Sequence, residues 1–178
     1  MRLMLSCHCK IYVVIFLINY KMEMFYILPA EIYVSKTPVY IQTLIGSCVS
    51  ICLWSPFSKI GGMNHYLLPY SECDDGDSNR YGNTSISNLI NKLMELGAKK
   101  SEFQAKIFGG ANVLKINEKK VNFFNIGEKN IEMAFKILNR EKIKIVNYDV
   151  GGQEARRILF NTGNFQIRLK KPLHKGSF

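Results

Sequence analysis

Apolar positions recur at two spacings along the chain, and the switch between them marks its elements. Residues 39–45 and 49–54 are runs rich in β-branched and aromatic side chains, and in the second Val49, Ile51 and Leu53 alternate with Cys48, Ser50 and Cys52. A period of two is that of a strand, whose successive side chains point to opposite faces. Cys48 is therefore expected at or just before a strand, on the face opposite those aliphatics. The turn-like Ser55-Pro56-Phe57-Ser58 and the pair Gly61-Gly62 then lead into a third strand, expected over 63–68.

A helical period follows. Ile86, Leu89, Ile90, Leu93 and Met94 make one stripe behind Thr84 and Ser85, either of which can cap a helix, and Gly97 stops it. The spacing of Ile131, Ala134, Phe135 and Leu138 predicts a second helix over 127–140. Strands are expected over 103–108 and 143–150, ending in Gly109-Gly110 and Gly151-Gly152. Paired glycines permit tight bends, and neither pair is followed by the Lys-Ser/Thr of a phosphate loop. Residues 157–161 and 165–170 flank Thr162-Gly163 and predict a closing hairpin. The stretch 69–83, acidic at Asp74, Asp75 and Asp77, is long enough for a flexible loop or lid. These elements predict an α/β fold: a single mixed domain with a strand-rich, β-sandwich-like core and helices packed outside.

A chain of 178 residues suffices for one such domain, and no linker or low-complexity stretch divides it. The expected limits are 25–171, after an N-terminal extension 1–24 and before a C-terminal tail 172–178. Within the extension, residues 11–20 are strongly apolar between Lys10 and Lys21, too short to span a bilayer as a helix. No small-residue cleavage pattern follows, and Met22 and Met24 stand just before the domain, so an upstream extension or misplaced start is expected rather than stable membrane insertion.

The net charge of +10 favours an acidic partner without choosing one. Its Lys and Arg residues are spread over 115–120, 136–144 and 168–175 with no aromatic-interleaved motif, so nucleic acid is not the expected partner. Five cysteines without a repeating spacing argue against a disulfide framework and for a reducing compartment, by default the cytoplasm. Cys7-His8-Cys9 lacks a second ligand pair at zinc spacing, so no metal is expected.

Thiol catalysis requires a cysteine able to ionise, a histidine near it and backbone donors for an oxyanion. His8 lies in the extension and His174 in the tail, which leaves His65 as the histidine inside the predicted domain, seventeen residues beyond Cys48. The short connection between their strands allows the two to pair. Gly46 before Ser47-Cys48 permits a sharp approach and leaves amides free to face a substrate. Pattern alone leaves two readings open: nucleophile and base, or a buried small side chain and a structural imidazole. Cys52, with nothing to place a base beside it, reads as structural.

Longer runs narrow this. The sequences 26–35 (Tyr-Ile-Leu-Pro-Ala-Glu-Ile-Tyr-Val-Ser) and 43–54 (Thr-Leu-Ile-Gly-Ser-Cys-Val-Ser-Ile-Cys-Leu-Trp) resemble the opening of the CheD family of chemoreceptor glutamine deamidases. Gly61-Gly62-Met63-Asn64-His65, Arg80-Tyr81-Gly82-Asn83, Phe108-Gly109-Gly110-Ala111, Asn125-Ile126-Gly127-Glu128-Lys129-Asn130, Asp149-Val150-Gly151-Gly152 and Arg156-Arg157-Ile158-Leu159-Phe160 follow in the same order, so the resemblance covers nearly all of 26–170.

That resemblance implies a Cys-His-Thr triad, with Cys48 and His65 on its Gly-Ser-Cys and Gly-Gly-Met-x-His motifs. The family threonine stands six places before the cysteine, where this chain has Gln42; Thr43 stands five before. Neighbouring strand residues face opposite ways, so only one of them can meet His65 unless the chain bulges. Thr43, with the matching hydroxyl, is the expected third member, and Gln42 or a backbone carbonyl the alternative. The resemblance further implies conversion of receptor glutamines to glutamate without a metal or organic cofactor, on the cytoplasmic domains of chemoreceptors. It also implies a CheC-type phosphatase as a partner, the alternative being an adaptor that modulates that phosphatase with little catalysis of its own.

Overall fold

The β-branched runs assemble into two sheets, which the computed structural model describes over residues 22–71, 79–112 and 126–171. The apolar run 11–20, the acidic centre of the 69–83 stretch, Cys7, Cys9, Cys73, His8 and His174 lie outside the described residues. One sheet has the order β1 (Met24–Tyr26), β3 (Tyr40–Ile45), β8 (Arg156–Asn161) and β9 (Gln166–Lys170). The other runs β2 (Ile32–Ser35), β5 (Gly61–Asn64), β4 (Val49–Trp54), β6 (Gln104–Gly109) and β7 (Lys144–Val150). Helices α1 (Gly82–Glu95) and α2 (Ile126–Arg140) pack on the second sheet.

The alternation in β4 decides how these layers stack. Val49, Ile51 and Leu53 join Ile86, Leu89, Leu93, Ala134 and Leu138 in a core under the helices. Cys52 and Trp54 point the other way, into a second core with Ile41, Ile45, Met63, Ile158 and Phe160 between the sheets. All six residues of β4 are buried, as a strand covered on both faces requires. The expected mixed α/β domain with a sandwich-like core and outer helices is thus the fold observed.

Boundaries differ where side chains replace backbone contacts. The first helix begins at Gly82 rather than near Thr84, and Tyr81 at its N-cap makes no side-chain capping bond. Ser85, expected as a cap, is buried, and its hydroxyl accepts a hydrogen bond from Asn64 Nδ2 at 2.9 Å. At the other end Gly97 adopts φ 104°, and Ala98 N–H donates to Leu93 O while Gly97 N–H donates to Met94 O, the Schellman arrangement that only a left-handed residue completes.

The expected strand 63–68 is broken at its middle. β5 ends at Asn64, whose side-chain oxygen accepts from Ile51 N–H at 2.8 Å in place of a backbone carbonyl. His65 is therefore outside the regular strand. Its own N–H donates to Glu31 O at 3.0 Å and its carbonyl accepts from Ala30 N–H at 2.7 Å. Pairing resumes one residue later between Tyr66 and Val49. The segment that captures His65 is a turn in which Glu31 N–H donates to Leu28 O, with Ala30 at φ 68°, a conformation strained for a residue with a Cβ.

Candidate active site

Thr43 sits on the inner face of β3 and is fully buried, as Ile41 and Ile45 are. Gln42, one residue earlier, points the other way and is half-buried. The pleat thus sends Thr43 across the gap between the sheets, where its Oγ1 lies 2.9 Å from His65 Nδ1. The same oxygen lies 2.9 Å from the Ile27 carbonyl.

These two bonds fix the protons. A hydroxyl has one hydrogen and a carbonyl can only accept, so the Thr43 proton goes to Ile27 O. His65 must then donate its Nδ1–H to Thr43 Oγ1. The imidazole is held as the tautomer whose Nε2 carries a free lone pair, and Nε2 is buried with no hydrogen-bond partner among the described residues. Desolvation lowers the His65 pKa to about 4, partly offset by Glu31, so the ring is a neutral base at physiological pH.

Cys48 stands directly before β4. Its neighbour Val49 pairs with Tyr66, the neighbour of His65, so the two candidate residues flank one bridge between adjacent strands. Cys48 is partly exposed and packs at the edge of the core between the sheets, the side on which His65 meets Thr43. Burial raises its thiol pKa, and the smaller effect of its own backbone N–H pulls it down. Burial thus disfavours the charged form of both groups, thiolate and imidazolium alike. Cys52 differs: it is fully buried between the sheets, and desolvation pushes its pKa far above that of an ordinary thiol.

The backbone around Cys48 is held by a glycine bend. Gly110 N–H donates to Cys48 O and Ala111 N–H to Gly46 O, each at 2.8 Å. This requires Gly109 at φ 112°, where a Cβ would collide with the Cys48 carbonyl oxygen. Gly109→Ala is expected to remove about 1–3 kcal/mol of stability from strain alone, and to lower turnover with it; equilibrium unfolding in urea measures the first. A variant as stable as the parent would mean the bend is not under this constraint.

A further polar side chain reaches the seam from α2. Asn130 is fully buried, and its Nδ2 donates to Ser47 O at 3.1 Å and Leu67 O at 2.8 Å. The Tyr66 hydroxyl donates to the Asn130 carbonyl at 2.6 Å. Sequence reasoning treated α2 as a core contact and passed over Asn130. The usable signal was an asparagine four residues before Ala134, on the buried stripe, where a polar group must find partners. The Ile27 carbonyl, the Ala30 turn and the Asn64 bridge were also missed, because backbone acceptors and interrupted ladders leave no side-chain pattern.

Thr43, His65 and the start of β4 are therefore brought together, whereas Gln42 faces away and Cys52 is fully buried in the core between the sheets. Residues 67–171 match the family model described as CheD, chemotactic sensory transduction. A protein of Sulfurimonas denitrificans described as a probable chemoreceptor glutamine deamidase CheD is 41% identical over 145 residues, covering 82% of this chain and 92% of that protein. Proteins with the same description from Hydrogenovibrio crunogenus and Hahella chejuensis are 38% and 40% identical, covering 85% and 83% of this chain and 80% and 71% of their own lengths.

Proposed function

This chain belongs to the CheD family, and from that premise we propose that it deamidates glutamine side chains on the cytoplasmic domains of chemoreceptors, with Cys48 as nucleophile, His65 as base and Thr43 as its orienting group. The observation that carries the reading is the buried Thr43–His65 bond, which leaves the Nε2 lone pair without a partner among the described residues at the edge of the strand pair where Cys48 lies. A structural imidazole would normally use both nitrogens, since an unmade buried hydrogen bond costs about 1–3 kcal/mol.

In this mechanism Cys48 Sγ attacks the side-chain amide carbon of glutamine as Nε2 takes the thiol proton. The carbonyl oxygen becomes an oxyanion, which we assign to the Cys48 backbone N–H, since it belongs to the nucleophile's own residue and donates to no backbone carbonyl among the described residues. Collapse of the tetrahedral intermediate breaks the C–N bond, and the imidazolium proton leaves with ammonia. Water, deprotonated by the same Nε2, then attacks the thioester and releases glutamate, and the proton returns to the thiolate. No residue other than these is needed for the proton balance.

Among the described residues no helix is long and apolar enough to cross a membrane, and we place the enzyme beside its substrate in the cytoplasm, as residues 25–171 with an extension and a tail. Incubation with purified receptor cytoplasmic fragments, followed by peptide mapping for amide-to-acid conversion, tests the activity and identifies the glutamines used. Fragments that stay fully amidated would reject it in favour of an adaptor role. Binding to a CheC-type phosphatase is the direct test of that second role.

The orienting role has its own test. Thr43→Val removes the acceptor for Nδ1–H while keeping the side-chain shape, and is expected to lower kcat by about 10²-fold. Gln42→Ala should leave it within about threefold, since its side chain faces away. The reverse outcome would transfer the role to Gln42, and two active variants would leave a backbone carbonyl.

A further inference from the structure

The peptide unit between Ser47 and Cys48 is gripped at one end by Asn130. In a trans peptide the carbonyl and the N–H point in opposite directions. The bond from Asn130 Nδ2 to Ser47 O, 3.1 Å, therefore turns that carbonyl toward α2 and sends the Cys48 N–H the other way, away from α2. The second Nδ2 hydrogen reaches Leu67 O at 2.8 Å. Leu67 is two residues beyond His65 and follows Tyr66, which pairs with Val49. One planar amide thus spans the two strand ends that carry Cys48 and His65.

The remaining atom of that amide argues for a use beyond packing. Asn130 Oδ1 is buried and has no hydrogen-bond partner among the described residues. An unpaired acceptor on a fully buried side chain is a cost to stability, and an apolar residue on the stripe of α2 would avoid it. What an apolar residue cannot supply is two diverging donors on one rigid plane. A carbonyl that accepts a hydrogen bond also leaves the N–H of its own peptide a better donor, through polarisation along the chain of bonds.

We propose that Asn130 is a positioning residue for the reaction: its side-chain amide fixes the Ser47–Cys48 peptide so that the Cys48 N–H meets the oxyanion. This rests on the reading of Cys48 as nucleophile. The role predicts a separation that mere packing would not give, because thiol alkylation by iodoacetamide develops no carbonyl oxyanion whereas deamidation does.

Asn130→Ala is expected to lower kcat for deamidation of a receptor fragment by about 10²-fold, the loss typical of one oxyanion donor, with KM and the rate of Cys48 alkylation each within about threefold of wild type. Peptide mapping assigns the alkylated cysteine, and continued protection of the buried Cys52 thiol reports an intact fold. A kcat within threefold of wild type overturns the proposal. So does a Cys48 alkylation rate that falls in step with kcat, since that would mean a loosened strand seam rather than a turned peptide. If Asn130→Ala exposes Cys52, Asn130→Ser, which keeps one donor at shorter reach, is measured in its place with the same outcomes deciding. Wild-type protein that releases no ammonia from the fragment would reject the deamidase reading itself, a result distinct from an active enzyme indifferent to Asn130.

Discussion

Replacing Cys48 by alanine is expected to abolish ammonia release from a receptor fragment, by about 10⁴-fold or more, because without a nucleophile the thioester route is closed and the remaining groups can only orient water. The fold should survive. Cys48 precedes β4 and is partly exposed, and its backbone contacts to Gly110 and, through Ser47, to Asn130 do not involve the sulfur. Cys52→Ala makes the opposite trade. That thiol is fully buried between the sheets beside Trp54 and Met63, so its loss opens a small void and lowers stability while most activity remains. Ammonia release and thermal unfolding on the two variants separate these roles. An active Cys48→Ala, or an inactive but stably folded Cys52→Ala, would mean that the nucleophile has been misassigned.

The contrast between these two cysteines shows what was legible in the sequence. The period of two across 48–54 correctly puts Val49, Ile51 and Leu53 on one face and Cys48 and Cys52 toward the other. It could not say that the second face is also buried, because that depends on a second sheet in which β3, just before β4 in the chain, pairs with the distant β8. Helix α2 and the closing hairpin were readable to within a residue or so, since each is encoded by local spacing and turn chemistry. The strand expected over 63–68 was not, because Asn64 satisfies its neighbour with a side chain and frees His65 to be held by the Ala30–Glu31 turn. The choice between Gln42 and Thr43 as the neighbour of His65 was narrowed by pleat parity and was decided only by which face of β3 looks inward. Asn130 was missed because its partners are two carbonyls on other segments, and backbone acceptors carry no residue-type signature.

The neutral, buried state of His65 has two consequences with opposite readouts. For activity, the Nε2 lone pair is available wherever the ring is unprotonated, and its pKa is lowered to about 4 from 6.5. The acid limb of turnover should therefore lie well below that of an exposed imidazole, with a plateau through neutral pH. His65→Ala is expected to lower the plateau by about 10²-fold or more and to remove the limb. For stability, the folded chain binds the proton less readily than the unfolded chain, so between those two pKa values only the unfolded state is protonated. Lowering the pH through that window draws the equilibrium toward unfolding. The stability contributed by keeping this ring neutral is full above about 6.5, is lost as pH falls toward about 4, and changes no further below it. The window corresponds to about 3 kcal/mol. His65→Asn retains a polar atom opposite Thr43 and has no group titrating there, so the difference in urea unfolding free energy between it and the parent should shrink or reverse as pH falls from 7 to 4. A difference that stays constant with pH would show that the ring is not held neutral by burial. A turnover limb near 6.5 that persists in His65→Asn would remove His65 as the base.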